Sequence, residues 1–144
     1  MLKGIDPILN PELLWAMAAM GHGDELAVVD ANFPAAAAAR RLIRLDGVSA
    51  PRALQAVLSL LPLDTMTETP ALVMAVVGDP AAIPAPVQEF QPIVDAAAER
   101  PVRLVALERF VFYERVRGAF AVVATGDSRA YGNIIVAKGV ILSG

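Results

Sequence analysis

Residues Ala71 to Val77 form an unbroken apolar run that stops at Gly78-Asp79-Pro80. A run of that length, bounded by turn-forming residues, reads as a central strand buried on both faces. Such a strand needs cover on both sides, and the rest of the chain supplies helices to provide it. Asn10-Pro11-Glu12 predicts a helix start: a capping side chain, a proline where no donor is missed, and an acid at the positive end of the dipole. Leu13, Leu14, Met17 and Ala18 fall on one side of that helix. Gly21 is expected in the left-handed position at its end.

The pattern repeats downstream. Leu26-Ala27-Val28-Val29 reads as a buried strand that delivers Asp30 to its carboxyl end. Phe33-Pro34 opens an alanine-rich turn of helix through Ala39, and Leu42 to Leu45 is a short extended piece. Alanine is the best helix former and permits close packing. Ser49 caps a second clear helix, with Pro51 early and Leu54, Val57, Leu58 and Leu61 at helical spacing. Pro84 to Arg100 reads as helical, with Pro92 expected to kink or split it. Arg103 to Leu107 reads as a strand, Glu108 to Arg117 as a helix ending at Gly118, and Phe120 to Thr125 as a further strand. Gly126-Asp127 turns the chain toward Tyr131-Gly132-Asn133 and a last strand, Ile134 to Val136. Helices and strands alternate, so the predicted fold is α/β, with a central, mainly parallel or mixed sheet and helices packed on its faces. At 144 residues the chain is expected to form a single domain.

Composition removes several function classes. A net charge of −3 offers no basic surface for a phosphate backbone, so no nucleic-acid partner is expected. With no cysteine and one histidine, thiolate chemistry is excluded and a His/Cys zinc site cannot be built within one chain. No signal peptide and no membrane span are expected, and the cytoplasm is the default location. Hydrophobic residues reach 56% and mean hydropathy is +0.55, richer than an ordinary soluble domain. A domain of this size buries only roughly 68–70% of its unfolded surface when alone. The surplus points to a homo-oligomer.

Few residues are left to carry chemistry. Gly21-His22-Gly23-Asp24-Glu25 holds the only histidine, the side chain whose unperturbed pKa lies nearest neutrality. Its glycine flanks clear space around the imidazole. Asp30, at the carboxyl end of its strand, lies where ligands bind in α/β proteins, so His22 and Asp30 are expected at one mouth. Arg109, Tyr131 and Asn133 also stand where strands meet turns. Each has an ordinary alternative: a solvated helix residue, a half-buried packing group, a satisfied turn. Phe110, Phe112, Tyr113 and Phe120 read as core, although Phe110 and Tyr113 share a helix face that could line a sugar-stacking wall. The chain has no dinucleotide fingerprint, no phosphate-cradling loop and no nucleophile elbow. Ser49, Ser59, Ser128 and Ser143 have no nucleophile-like context. Metal-free acid/base chemistry remains.

Gly21 to Glu25, Asp30-Ala31-Asn32-Phe33-Pro34, Arg109-Phe110-Val111-Phe112-Tyr113-Glu114-Arg115 and Tyr131-Gly132-Asn133-Ile134-Ile135 together resemble the L-fucose mutarotase and D-ribose pyranase family. The resemblance covers nearly the whole chain in order and leans to the fucose branch. The ribose branch has a His-Glu pair where this chain has Arg109-Phe110, and Tyr-Ala-Asn as its final motif. The resemblance implies a cofactor-free isomerase that interconverts the anomers of a free monosaccharide. It makes His22 the proton donor and Asp30, Arg109, Tyr131, Gly132 and Asn133 the sugar-binding residues. It also implies rings or smaller oligomers with sites near subunit contacts. A ribose or broad-range mutarotase, and a non-catalytic sugar-binding or transport-accessory protein on the same scaffold, are the alternatives.

Overall fold

The computed structural model describes residues 1–143. In chain order the elements are α1 (Pro11–Ala19), β1 (Glu25–Val29), α2 (Ala35–Ala38), β2 (Leu42–Leu45), α3 (Ala50–Leu58), β3 (Ala71–Met74), α4 (Ala85–Ala97), β4 (Val105–Leu107), α5 (Arg109–Arg117), β5 (Ala121–Thr125) and β6 (Ile134–Ala137). The six strands make one sheet in the order β2-β5-β1-β6-β3-β4. β2, β5 and β1 are mutually parallel, as are β3 and β4. β6 alone runs against its neighbours β1 and β3. The sheet is therefore mixed. One of its edges collects the carboxyl ends of five strands and the start of β6, and the other collects the reverse.

Side chains alternate across the sheet with a period of two. Leu26 and Val28 of β1 join Leu13, Leu54, Val57 and Phe90 in a core under α1, α3 and α4. Ala27 and Val29 point the other way, to Phe33, Phe112 and Val116 under α2 and α5. Both faces are covered, as the apolar strands require. Each fully buried large apolar side chain contributes about 1.5–3 kcal/mol. Capping follows the sequence: Asn10 Oδ1 accepts the Leu13 N–H at 2.9 Å, and Ser49 Oγ accepts the Arg52 N–H at 3.3 Å.

Four expectations need correction. The apolar run is strand only over Ala71–Met74. Beyond it the Ala75 N–H turns to the Leu107 carbonyl and the Val77 N–H to the Tyr131 hydroxyl, so the chain leaves the ladder. β4 is likewise shorter than its apolar stretch. Gly23, not Gly21, takes the left-handed conformation, with φ +84°. α1 ends when Met20 turns extended, and the reversal falls in the loop after it. α4 runs unsplit through Pro92. Pro92 is exposed, so the Gln88 carbonyl that it leaves unpaired faces water.

Candidate active site

Five strands end at one edge, and the side chains there are set by backbone connections across the sheet. Asp30 follows β1 and is buried. Its Oδ1 accepts the N–H groups of Asn32 and Phe33, each at 3.0 Å, and its Oδ2 accepts the Gly132 N–H at 3.1 Å. An ionised carboxylate offers about four acceptor positions, so one on Oδ2 is left for a ligand hydroxyl. The Asp30 N–H donates to Asn133 Oδ1 at 2.9 Å. Asn133 thereby uses its oxygen on the Asp30 backbone, and its amide group lies close enough to the Asp30 carboxylate to stabilise its charge. Burial pushes the Asp30 carboxyl above its ordinary value; the three backbone N–H groups and Asn133 only partly offset it.

Tyr131 sits at φ +62°, the one left-handed non-glycine among the described residues. Such a conformation costs about 1–3 kcal/mol and persists only where the surroundings hold it. Here the Val77 N–H donates to the Tyr131 hydroxyl at 3.1 Å, while Gly132, the next residue, is held by Asp30. The hydroxyl keeps its own proton for another acceptor. Close approach also explains the glycine: a Cβ on Gly132 would stand 3.3 Å from the Asp30 Cβ.

Arg109 opens α5, just after Glu108, whose side chain caps the helix by accepting the N–H groups of Phe110 and Val111. The Arg109 guanidinium lies 5.0 Å from the Phe110 ring centre and 5.6 Å from that of Tyr113. It has no carboxylate partner among the described residues. Asp30, Arg109, Tyr131 and Asn133 line one cleft of about 250 Å³. Sequence reasoning missed that Asn32, Met74 and Val77 complete its wall. It also left Tyr113 unassigned, and that ring forms a wall too, edge-on to Phe33 at 5.2 Å. Phe110 is largely exposed rather than core, and Phe112 is fully buried.

His22 is not there. It precedes β1, whereas Asp30 follows it, so the two belong to opposite edges of the sheet. At ~3.3 Å per residue, the strand between them separates the edges by roughly 16 Å. The single mouth expected from the sequence does not exist within one chain. His22 instead meets Asp64, with Nε2 3.0 Å from Oδ1. Asp64 is buried, and its oxygens also accept the Met66 N–H at 3.1 Å and the Thr67 N–H at 3.3 Å. Burial pushes its carboxyl up, but the Met66 N–H, His22 and the Thr67 N–H together bring it below its ordinary value. Sequence reasoning missed Asp64, whose only local signal is an aspartate two and three residues ahead of the N–H groups it accepts, a common turn pattern.

A hydroxyl-rich ligand suits this cleft: a carboxylate with a spare acceptor, an amide donor, a phenol donor and an unpaired guanidinium beside aromatic rings. Fold and site thus define an α/β protein with a cleft at the strand ends whose groups suit a polyol. The chain belongs to the RbsD / FucU transport protein family, which matches residues 3–141. It is 49% identical to the fucose mutarotase of Homo sapiens over 97% of this chain and 94% of that one. It is 43% identical to the L-fucose mutarotase of Histophilus somni over 97% of each. The crystal structure of the Streptococcus pneumoniae fucose mutarotase in complex with L-fucose superposes with a TM-score of 0.90 at 39% identity. That match covers 98% of this chain and all of the other. No helix among the described residues is long and apolar enough to cross a membrane.

Proposed function

We propose that this chain is an isomerase that interconverts the α and β anomers of free L-fucose by opening and reclosing the sugar ring. The observation that carries the reading is the convergence of Asp30, Arg109, Tyr131 and Asn133 in one cleft, in a chain so similar to fucose mutarotases along its length. Asp30 accepts a sugar hydroxyl, Asn133 and Tyr131 donate, and Arg109 adds charge-assisted donors. Mutarotation moves one proton from the anomeric hydroxyl to the ring oxygen while the bond between the anomeric carbon and the ring oxygen breaks. Arginine and tyrosine hold protons too tightly to do this at neutral pH. Histidine gives and takes them readily.

His22 therefore enters the cleft from a second copy of the chain. Apolar side chains are exposed near both edges: Val77, Phe110 and Val111 around the cleft, and Leu2, Met66 and Ile141 on the His22 side. A head-to-tail contact would cover both sets, and such contacts close into rings when the rotation permits. The surplus of apolar residues has the same explanation.

Magnetisation exchange between the two anomeric proton signals of L-fucose, with and without protein, tests the activity. Saturable binding without faster exchange would instead support a sugar-binding module. Co-assembly tests the sharing. At an L-fucose concentration too low for Asp30→Asn to bind it, His22→Ala and Asp30→Asn proteins, each silent alone and then unfolded and refolded together, should regain activity in about a quarter of their shared sites. No regain in mixed oligomers, or a monomer by sedimentation equilibrium, rejects the shared site.

A further inference from the structure

We infer that Arg129 is a positioning residue for the sugar cleft: with Asp127 it clamps the turn that presents Tyr131, Gly132 and Asn133, and so sets affinity without touching the sugar. The inference rests on the mutarotase reading for the identity of the ligand, though not for the clamp itself.

The turn has few means of holding its own shape. Ala130 and Tyr131 form its centre, between Arg129 and Gly132. Tyr131 takes φ +62°, at the turn position where glycine or asparagine is usual. The Gly132 N–H, which would close the turn on the Arg129 carbonyl, goes instead to Asp30 Oδ2 at 3.1 Å. Ser128 and Ala130 are exposed, so packing of the turn's small side chains does not fix it either. Its conformation is imposed from the two ends. Downstream, Asn133 is tied to the Asp30 N–H at 2.9 Å. Upstream, the hold is Asp127 and Arg129.

The Asp127 side chain is 3% exposed. Its Oδ1 accepts the Arg129 backbone N–H and Nε–H, each at 3.0 Å, and its Oδ2 accepts Nη2 at 2.9 Å. Arg129 is thus fixed by backbone and guanidinium to one carboxylate, a bidentate fork with set geometry. Oδ2 also accepts the Ala50 N–H at 3.0 Å, at the start of α3. The Asp127 carbonyl accepts the Ala31 N–H at 2.8 Å, immediately after Asp30. Both walls of the cleft therefore meet at Asp127, and Arg129 carries its position to the Tyr131 turn. Hydrogen bonding to Arg129 holds the Asp127 carboxyl at about 2, against the upward push of burial. The pair stays charged at any pH where sugar exchange is measured.

The remaining arm, Nη1, donates to Glu89 of α4, where both side chains are partly exposed. Exposed ion pairs of that kind contribute little. Asp127 is different, because a buried carboxylate stripped of its cation must find other donors. Those in reach belong to the turn and to its neighbours, so the turn shifts. The cleft is lined by Ala130, Tyr131 and Asn133 but not by Arg129. Any effect of Arg129 on the sugar is therefore transmitted through the turn. A displaced turn moves the Tyr131 hydroxyl, the Gly132 hold on Asp30 and the Asn133 amide together. These contacts serve ground and transition states alike, so the loss falls on binding rather than turnover.

Arg129→Gln keeps a polar side chain and removes the fork. Its Kd for L-fucose by calorimetric titration should rise about 10-fold, while kcat at saturating sugar stays within about 2-fold. A merely structural role predicts a lower Tm with the Kd of the folded protein unchanged, and that result overturns the inference. So does a loss confined to kcat. Glu89→Gln, on the exposed arm, should change Kd less than about 2-fold; a loss equal to that of Arg129→Gln counts against Asp127 as the anchor. The chain has two tyrosines, so protein labelled with 3-fluorotyrosine gives signals from Tyr113 and Tyr131, assigned with Tyr113→Phe. Without sugar, Arg129→Gln should shift or broaden the Tyr131 signal and leave that of Tyr113 nearly in place. An unmoved Tyr131 signal overturns the inference. Arg129→Lys keeps the charge without the fork, so it should lie between wild type and Arg129→Gln in both measurements, and it carries the test if Arg129→Gln does not fold. A wild-type protein without anomer exchange would sink the mutarotase reading alone, because the fluorine signals answer for the clamp in either event.

Discussion

Asp30 and Asp64 occupy opposite edges of the same sheet and are almost equally shielded, with 4% and 5% exposure. Both accept backbone N–H groups two and three residues downstream. Yet burial wins at Asp30 and lifts its carboxyl, while at Asp64 the donors win and lower it. Two differences account for this. Asp30 lies deeper, between the ends of β1 and β6, and has no cationic partner on its oxygens. Asp64 has a thinner cover and shares His22. The same residue in the same turn faces an open cleft at one edge and an imidazole at the other. On the proposed function, affinity and proton transfer are therefore separable by mutation.

The largest effect belongs to the His22 edge. His22→Ala should lose ~10²–10⁴-fold in kcat, the usual contribution of a positioned acid/base group. Fold and L-fucose affinity should persist, as circular dichroism and calorimetric titration would report. Near-normal exchange would remove His22 from the chemistry. At the other edge, Asp30→Asn replaces an acceptor oxygen by an amide donor that faces N–H groups. Affinity for L-fucose should fall by about 1–3 kcal/mol, roughly 5- to 150-fold. Intact affinity with reduced kcat would break the division between the edges.

Acid sharpens the contrast through stability. Arg129 beside Asp127 holds the Asp127 carboxyl at about 2, against the weaker upward push of burial. A depressed carboxyl stabilises the fold above its unfolded pKa, and that stability is lost as pH falls through the folded value. Asp127 should thus withdraw about 2 kcal/mol between pH 4 and pH 2. Asp64 acts in the same direction. Asp30, being raised, acts in the opposite one: it favours the fold at low pH and gives this up as pH rises through its folded pKa. Urea titrations across acid pH should therefore be steeper for Asp30→Asn than for the wild type and shallower for Asp64→Asn. The reverse order would refute the assignment of the two environments.

Smaller changes probe selection. Arg109→His should shift preference from L-fucose toward D-ribose, mainly through KM, because a contact made equally in ground and transition states changes binding rather than turnover. A concentration series of exchange rates on both sugars decides it, and unchanged preference removes Arg109 from selection. Gly132→Ala should be mildest. Its new Cβ meets a side-chain carbon at 3.3 Å and no backbone atom closer than 3.6 Å, so the fold should survive with affinity reduced less than tenfold. At Gly126 a Cβ would stand 1.8 Å from the Asp46 carbonyl oxygen. Gly126→Ala should therefore fail to fold where Gly132→Ala does not.

Much of the fold was legible along the chain. Asn10-Pro11, Ser49 and Gly118 marked helix ends because caps are local devices, and the α/β alternation followed from apolar runs between them. Asp30, Arg109, Tyr131 and Asn133 were legible as candidates because each stands at an element boundary beside a turn. Where strands stop was not legible: Ala75 to Val77 are as apolar as Ala71 to Met74, and the Leu107 carbonyl and the Tyr131 hydroxyl end the ladder. The sequence by itself determined the elements, the two-sided core and the identity of the chemical groups, all of which depend on neighbours within a few residues. Tertiary structure alone decided that β6 runs antiparallel, that Gly132 and Asn133 lock Asp30, and that His22 lies across the sheet beside Asp64. These pairings join residues 42 to 103 positions apart, and strand direction, which no local pattern encodes, fixes which edge each side chain reaches.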